Sequence, residues 1–205
     1  TLLLTKLNLT CFLVFLGVIS IPSILNFLIF CLFLTFCLLE ILNPGFLIDG
    51  LVSTEDERYY EHSGIDGKSL ARAIAKGGKS GGGSTITQQL AKMLFTKVAR
   101  NKLDRIKQKL KEWVISVRLE RHYTKNELLT MYFNKLDFVN NAAGIKSASK
   151  VYFNKLPGEL GINEAAMFVG MAKNPSLFNP LKRPDTTLFR RNVVLNQMVR
   201  NNKLS

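Results

Sequence analysis

The sequence predicts a mainly α-helical domain preceded by an N-terminal membrane segment. Three observations carry that expectation: an apolar run of unusual length at the start, apolar residues recurring at spacings of three and four through the rest, and no stretch with the sustained alternation of a strand.

From Lys6 to Glu40 there is no charged residue, and Leu, Ile, Val and Phe dominate the interval. A bilayer span needs about 20 apolar residues, and this run exceeds one span while falling short of two separated ones. Pro22, near the middle, either kinks a single tilted helix or marks a re-entrant turn. The apolar core of a cleavable leader is only about 7–15 residues. A retained, single-pass anchor over residues 1–42 is therefore the expectation, with a leader as the alternative. Asn43-Pro44-Gly45 closes the run with helix breakers, so the domain occupies residues 43–205. The chain begins at Thr1 and stops at Ser205 straight after a basic helical pattern, as a piece of a longer product would.

Within the domain, helices are expected over Ser84 to Val98, Lys125 to Phe133, Asn163 to Ala172 and Asp185 to Arg200, with Asn163 and Asp185 as N-caps and Asn174-Pro175 as a stop. Leu103, Ile106, Leu110, Trp113 and Val117 form one apolar face of a further amphipathic helix, with lysines and arginines between them. Five glycines in the seven residues Gly77 to Gly83 predict a mobile loop.

The chain carries a formal charge of +13, and its first fifty residues contribute only Lys6, Glu40 and Asp49, which leaves +14 on the remainder. A basic domain beside an anchor suits lipid headgroups or a phosphorylated lipid substrate. Nucleic acid is the generic alternative, but no recognition-helix pattern, finger or aromatic RNA-binding motif supports it. Cys11, Cys31 and Cys37 all lie in the apolar run, which leaves the domain no disulfide framework or thiolate metal site. His62 and His122, the only histidines, make a histidine-built zinc site improbable.

Three clusters can carry chemistry. Glu55 to Gly64 packs four carboxylates, Arg58 and His62 into ten residues. Such a cluster is either a solvated helix start or the setting in which one carboxylate, partly desolvated beside Tyr59, takes a proton from a sugar hydroxyl. Gly82 to Lys92 is a flexible loop feeding a helix, where Thr85 and Gln88 form a capping-box pattern. Free N–H groups there, with Lys92 two turns along, could also hold a diphosphate. In the third cluster Glu112 follows Lys109 and Lys111 and adjoins Trp113, a carboxylate in cationic company.

These blocks, in this order, resemble the glycosyltransferase domain (family 51) of bifunctional penicillin-binding proteins and monofunctional peptidoglycan glycosyltransferases, from about Leu51 onward. Glu55, Asp56, His62 and Gly64 fit the motif Glu-Asp-x-x-Phe-x-x-His-x-Gly, with Tyr59 in place of Phe; Gly82 to Gln89 fit Gly-x-Ser-Thr-Ile-Thr-Gln-Gln in full. Lys109 and Glu112 fit Arg-Lys-x-x-Glu, with Gln108 where Arg is usual. Lys125, Leu129, Tyr132 and Asn134 fit a fourth block, in which Thr130 replaces a common Glu, and Lys135 to Asn141 replaces a glycine-rich stretch. Glu164-Ala165-Ala166, Asn174-Pro175-Ser176, Asn179-Pro180 and Arg190-Arg191 make a fifth. Ser147 and Lys150 also meet the Ser-x-x-Lys pattern of transpeptidases, but no Lys-Thr-Gly follows.

The resemblance implies a lysozyme-like, mostly α domain with a catalytic lobe and a smaller membrane-associated lobe, on the outer face of a bacterial cytoplasmic membrane. It implies polymerisation of lipid II into glycan strands with release of undecaprenyl diphosphate. Glu55 and Glu112 would be catalytic, Glu55 as the base. Asp56, His62, Ser84, Thr85, Gln88, Gln89, Lys92, Lys109 and Lys111 would bind substrate. No cofactor is essential, and Mg²⁺ or Mn²⁺ at the diphosphate, with Glu112 as a ligand, stays open. Partners would be lipid II, the growing glycan, membrane lipids and other wall-synthesis proteins, not nucleic acid. A lytic, lysozyme-like enzyme and an inactive lipid II-binding module are the alternatives.

Overall fold

A computed structural model describes residues 45–75, 83–96, 99 and 101–204. The expected anchor, most of the glycine-rich loop and Lys97, Val98 and Arg100 lie outside these residues. The described part is mainly helical: α1 (Gly45–Glu55), α2 (Gly67–Ala75), α3 (Ile86–Phe95), α4 (Lys102–His122), α5 (Lys125–Lys135), α6 (Gly144–Phe153), a 3₁₀ turn (Pro157–Glu159), α7 (Ile162–Lys173) and α8 (Pro184–Arg200). Among the described residues no strand forms, only an isolated bridge between Asp137 and Ala143. No described helix is long and apolar enough to cross a membrane.

The core centres on α7, whose residues Ala165 to Met171 are all buried. Helices α1 and α8 pack on it, and the Phe168 ring meets Phe138, Tyr152 and Phe153 edge to face at centroid separations of 5.2–5.9 Å. A second group places α3 against α4 and α5, with α5 leading on to α6. The C-terminal end of α1, the start of α3 and one face of α4 frame a cleft.

Four of the expected helices recur with shifted ends, and α1, α2 and α6 escaped the periodicity. Asn163 and Asp185 are not N-caps. Glu164 reaches back to the backbone N–H of Gly161 at 2.8 Å, which starts α7 earlier, and Pro184 starts α8, since a first-turn proline gives up an N–H that has no helical partner.

Helix α4 departs most from the pattern. Its apolar residues Leu103, Ile106, Leu110 and Val114 are exposed, while Gln108, Glu112, Ser116 and Leu119 are buried. An apolar stripe ordinarily faces the core. Here Gln108 and Glu112 find hydrogen-bonding partners in the cleft and Ser116 donates to the Trp113 carbonyl of its own helix, which offsets their desolvation.

The α5–α6 loop carries a run of left-handed residues, with Val139, Asn140 and Asn141 at φ 57, 50 and 61°. For a β-branched residue such as Val139 this is a strained conformation. It is held by Phe138 N–H donating to the Ala142 carbonyl at 2.9 Å and by the Asn140 amide donating to the Tyr152 hydroxyl at 2.9 Å.

Candidate active site

Glu55 ends α1 and points into the cleft. Its Oε2 accepts from Gln89 Nε2 at 3.1 Å and its Oε1 from Arg190 Nη2 at 3.3 Å. The Gln89 carbonyl oxygen accepts from the Tyr132 hydroxyl at 3.0 Å, which aims the amide NH₂ at Glu55. Burial, reinforced by the charge of Glu55, holds the Tyr132 phenol far above the ordinary tyrosine range, so it stays a donor. Burial lowers the Arg190 guanidinium and Glu55 opposes that; its Nε is buried without a partner among the described residues. The tyrosine beside Glu55 is thus Tyr132. Tyr59 is buried elsewhere, under Lys125.

The charged cluster divides. Glu57 and Glu61 are exposed, whereas Asp56 is buried and serves as a tie. Its carboxylate accepts from the Ile86 N–H at 3.0 Å, at the start of α3, and from His62 Nε2 at 3.0 Å. Gly64 N–H donates to His62 Nδ1 at 3.2 Å, so the ring is the Nε2–H tautomer. The Gly64 carbonyl accepts from Thr85 Oγ1 at 2.7 Å and Gln88 Nε2 at 3.1 Å. At Gly64, with φ +88°, a Cβ would lie 2.9 Å from the backbone of Ser116 in α4, so only glycine fits this approach. Thr85 caps α3 by accepting from Gln88 N–H at 3.2 Å. The reciprocal half of the expected capping box is missing, because the Gln88 side chain is spent on Gly64 and Lys109.

On α4, Glu112 is buried between two cations. Oε1 pairs with Arg105 Nη1 at 3.1 Å and Oε2 with Lys109 Nζ at 3.2 Å. Lys109 also donates to Ser84 Oγ at 2.7 Å and Gln88 Oε1 at 2.9 Å, which joins the loop before α3 to α4. Burial lowers the Lys109 ammonium below the ordinary lysine range, and Glu112 opposes it. Gln108 accepts from Arg105 Nη1 at 2.8 Å and donates to Thr96 Oγ1 at 2.8 Å.

Two cavities meet at Glu55 and Ser84. One, of about 500 Å³, is lined by Gln88, Gln89, Lys92, Arg105, Gln108, Glu112 and Tyr132 among others. The other, of about 620 Å³, runs past Asp56, Arg58, Asp66, Arg72 and Arg200. The structure therefore gathers Glu55, Glu112, Ser84, Gln88, Gln89, Lys92 and Lys109 in one place. Asp56, His62 and Thr85 act mainly as ties behind it. Lys111 is exposed and lines neither cavity, since two residues from Lys109 it projects from the opposite side of the helix.

Sequence reading missed Arg105 and Arg190 as site residues. Arg105 lies seven residues, two turns, before Glu112, a spacing that marks a shared helical face. Arg190 is 135 residues from Glu55 and only the tertiary fold reveals it.

Among the described residues no three His, Cys, Asp or Glu side chains converge as a metal site. Both oxygens of Glu112 are engaged by cations, a donor set that does not fit a protein-held Mg²⁺ or Mn²⁺, which takes several oxygen ligands.

The class defined by this architecture is a mainly helical domain with two glutamates, Glu55 partly exposed and Glu112 buried, in a cleft lined by lysine, arginine and amide side chains. A family model described as Transglycosylase matches residues 42–199. The chain belongs to that family, glycosyltransferase family 51. It is 43% identical over 159 residues to penicillin-binding protein 1F of Bacillus subtilis, covering 76% of this chain and 22% of that one. It is 40% identical over 160 residues to penicillin-binding protein 1A of Escherichia coli, covering 76% and 18%, and 37% identical over 160 residues to penicillin-binding protein 1A of Aquifex aeolicus, covering 76% and 22%. The chain thus spans about a fifth of the length of these curated relatives.

Proposed function

We propose that the chain is a lysozyme-like peptidoglycan glycosyltransferase that polymerises lipid II. The observation that carries this reading is the position of Glu55 where two cavities meet, one of them flanked by Lys92, Arg105 and Lys109. Joining two sugars requires two sites that share one base. The acceptor sugar lies in the cavity beside Arg58 and Arg72, and the lipid-linked donor lies on the α4 side. Glu55 takes the proton of the acceptor 4-hydroxyl as its oxygen attacks donor C1. The bond from C1 to the diphosphate breaks, the configuration inverts, and undecaprenyl diphosphate leaves with the electron pair. Cations at the diphosphate stabilise the charge that develops as it departs.

Residues 1–42 anchor the domain in the bacterial cytoplasmic membrane with the cleft on the outer side. The exposed apolar stripe of α4, together with Leu94 and Phe95 at the end of α3, supports a membrane-facing lobe. Incubating the purified full chain with lipid II tests the reading: glycan polymer and free undecaprenyl diphosphate are expected. Cleavage of finished glycan without diphosphate release would make it a lytic enzyme. Lipid II binding without product would make it a binding module.

A further inference from the structure

The inward face of α8 is built from Thr187, Arg190, Val194 and Met198, at spacings of three and four. Such a face ordinarily carries apolar residues, and Arg190 puts a charge on it. The side chain lies across Gly170 of α7, where a Cβ would stand 3.1 Å from Arg190 Cγ, and its guanidinium carbon is 5.8 Å from the centre of the Phe178 ring. The notch left by Gly170 gives a long side chain passage between two packed helices. It ends at Glu55, with Nη2 3.3 Å from Oε1. Nε is buried and has no partner among the described residues. A buried donor without an acceptor costs stability, and an apolar side chain would fill the place without that cost. Helix packing therefore does not account for the arginine, whereas the ion pair with Glu55 does.

We infer that Arg190 is a positioning residue for Glu55, which fixes Oε1 from outside both cavities and keeps the carboxylate ionised and ready to accept a proton. Arg190 lines neither cavity, so it acts through Glu55 and not on substrate. An opposite charge close to a carboxyl favours its charged form. Lys92, Arg105, Glu112, Tyr132 and Lys173 share one cavity with Glu55, and Asp56, Glu57, Arg58, Asp66, Arg72 and Arg200 share the other. Among the described residues Arg190 is the only cation paired with it. This inference deepens the proposed function and rests on it for the role of Glu55 as the base.

Arg190→Met keeps an unbranched side chain over Gly170 and removes the charge. With the full chain and lipid II it is expected to lower kcat with little change in KM, and to move the acid limb of the kcat profile up by about one pH unit or more. The loss then shrinks as pH rises, and Arg190→Lys recovers part of it. Gly170→Ala is the milder second variant: its methyl group displaces the arginine side chain, so the limb is expected to move the same way by less, with no further shift when it is added to Arg190→Met. An acid limb in its wild-type place in both single variants overturns the inference, and so does a loss equal at every pH, which would make Arg190 structural. Carbon-13 NMR of the glutamate carboxyls, with Glu55 assigned through Glu55→Gln, follows the same ionisation without substrate, and its midpoint is expected to rise in Arg190→Met. A wild-type chain that makes no polymer while this midpoint moves overturns the proposed function and leaves the pairing of Arg190 with Glu55 standing.

Discussion

The surroundings of Glu55 and of Glu112 differ although both carboxylates line one cavity. At the end of α1 the protein gives Glu55 one amide donor and one ion pair at 3.3 Å, and leaves its side chain 18% exposed. On α4, Glu112 is 2% exposed, with a cation on each oxygen. The first arrangement holds a carboxylate in place with lone pairs to spare for an incoming hydroxyl. The second uses a carboxylate as a fixed counter-ion that keeps two cations in register. A base must be reachable, whereas an organiser must be immobile.

Glutamine substitutions break this comparison if it is wrong. Glu55→Gln keeps shape and removes the proton acceptor, so polymerisation is expected to fall about 10²–10⁴-fold with an unchanged melting curve. Glu112→Gln leaves the partly buried Lys109 beside a neutral amide, and removing one partner of a buried pair costs about 3–5 kcal/mol in full burial, less here because Lys109 is partly exposed and Arg105 half-exposed. Both turnover and melting temperature should drop. Asp56→Asn is the control: as a tie between α1 and α3 it should lower the melting temperature far more than Glu55→Gln. Equal behaviour of Glu55→Gln and Asp56→Asn would return the cluster to a set of interchangeable charges.

The outer face of α4 sharpens the contrast between its two sides. Ile106→Glu/Leu110→Glu should leave stability within about 0.5 kcal/mol per site, because both residues are exposed. Burial of such side chains is worth about 1.5–3 kcal/mol each. Polymerisation of vesicle-embedded lipid II should therefore slow at least about tenfold, and that of detergent-dispersed lipid II much less. Equal slowing in both would mean that the stripe does not meet the bilayer.

The smallest effect concerns acid. Asp66 is desolvated by burial, but hydrogen bonds from Ser69 and Arg58 outweigh this and hold its carboxyl well below its ordinary 3.8. A carboxyl depressed by folding contributes stability above the unfolded value that fades as pH falls below it. Melting temperature should decline from about pH 4 downward, and Asp66→Asn should flatten part of that slope while lowering stability at neutral pH.

Much of this was legible in the sequence, because long motifs name residues and helical spacing names elements. Glu55, Ser84, Gln88, Gln89, Lys92, Lys109 and Glu112 converge as their motifs suggested. What periodicity could not supply was the direction of a face. In α4 the apolar stripe is real, but the buried side is polar, since Arg105 and Lys109 of the same helix and Thr96 at the end of α3 pair with Gln108 and Glu112 there. Asn163 and Asp185 looked like caps because their side chains suit that role, yet Glu164 and Pro184 fixed the helix starts first. Arg190 carried no local signal, because its partner lies 135 residues away along the chain.

The width of the cleft is set by something that is not in it. Gly64 lets the chain that follows Glu55 lie directly against the backbone of Ser116 on α4, the helix that carries Glu112 one turn earlier. A missing side chain here works as a gauge, fixing how far apart the two carboxylate neighbourhoods stand. Even a methyl group at this position would act as a shim that moves one wall of the cleft away from the other while every side chain proposed to act in catalysis remained intact.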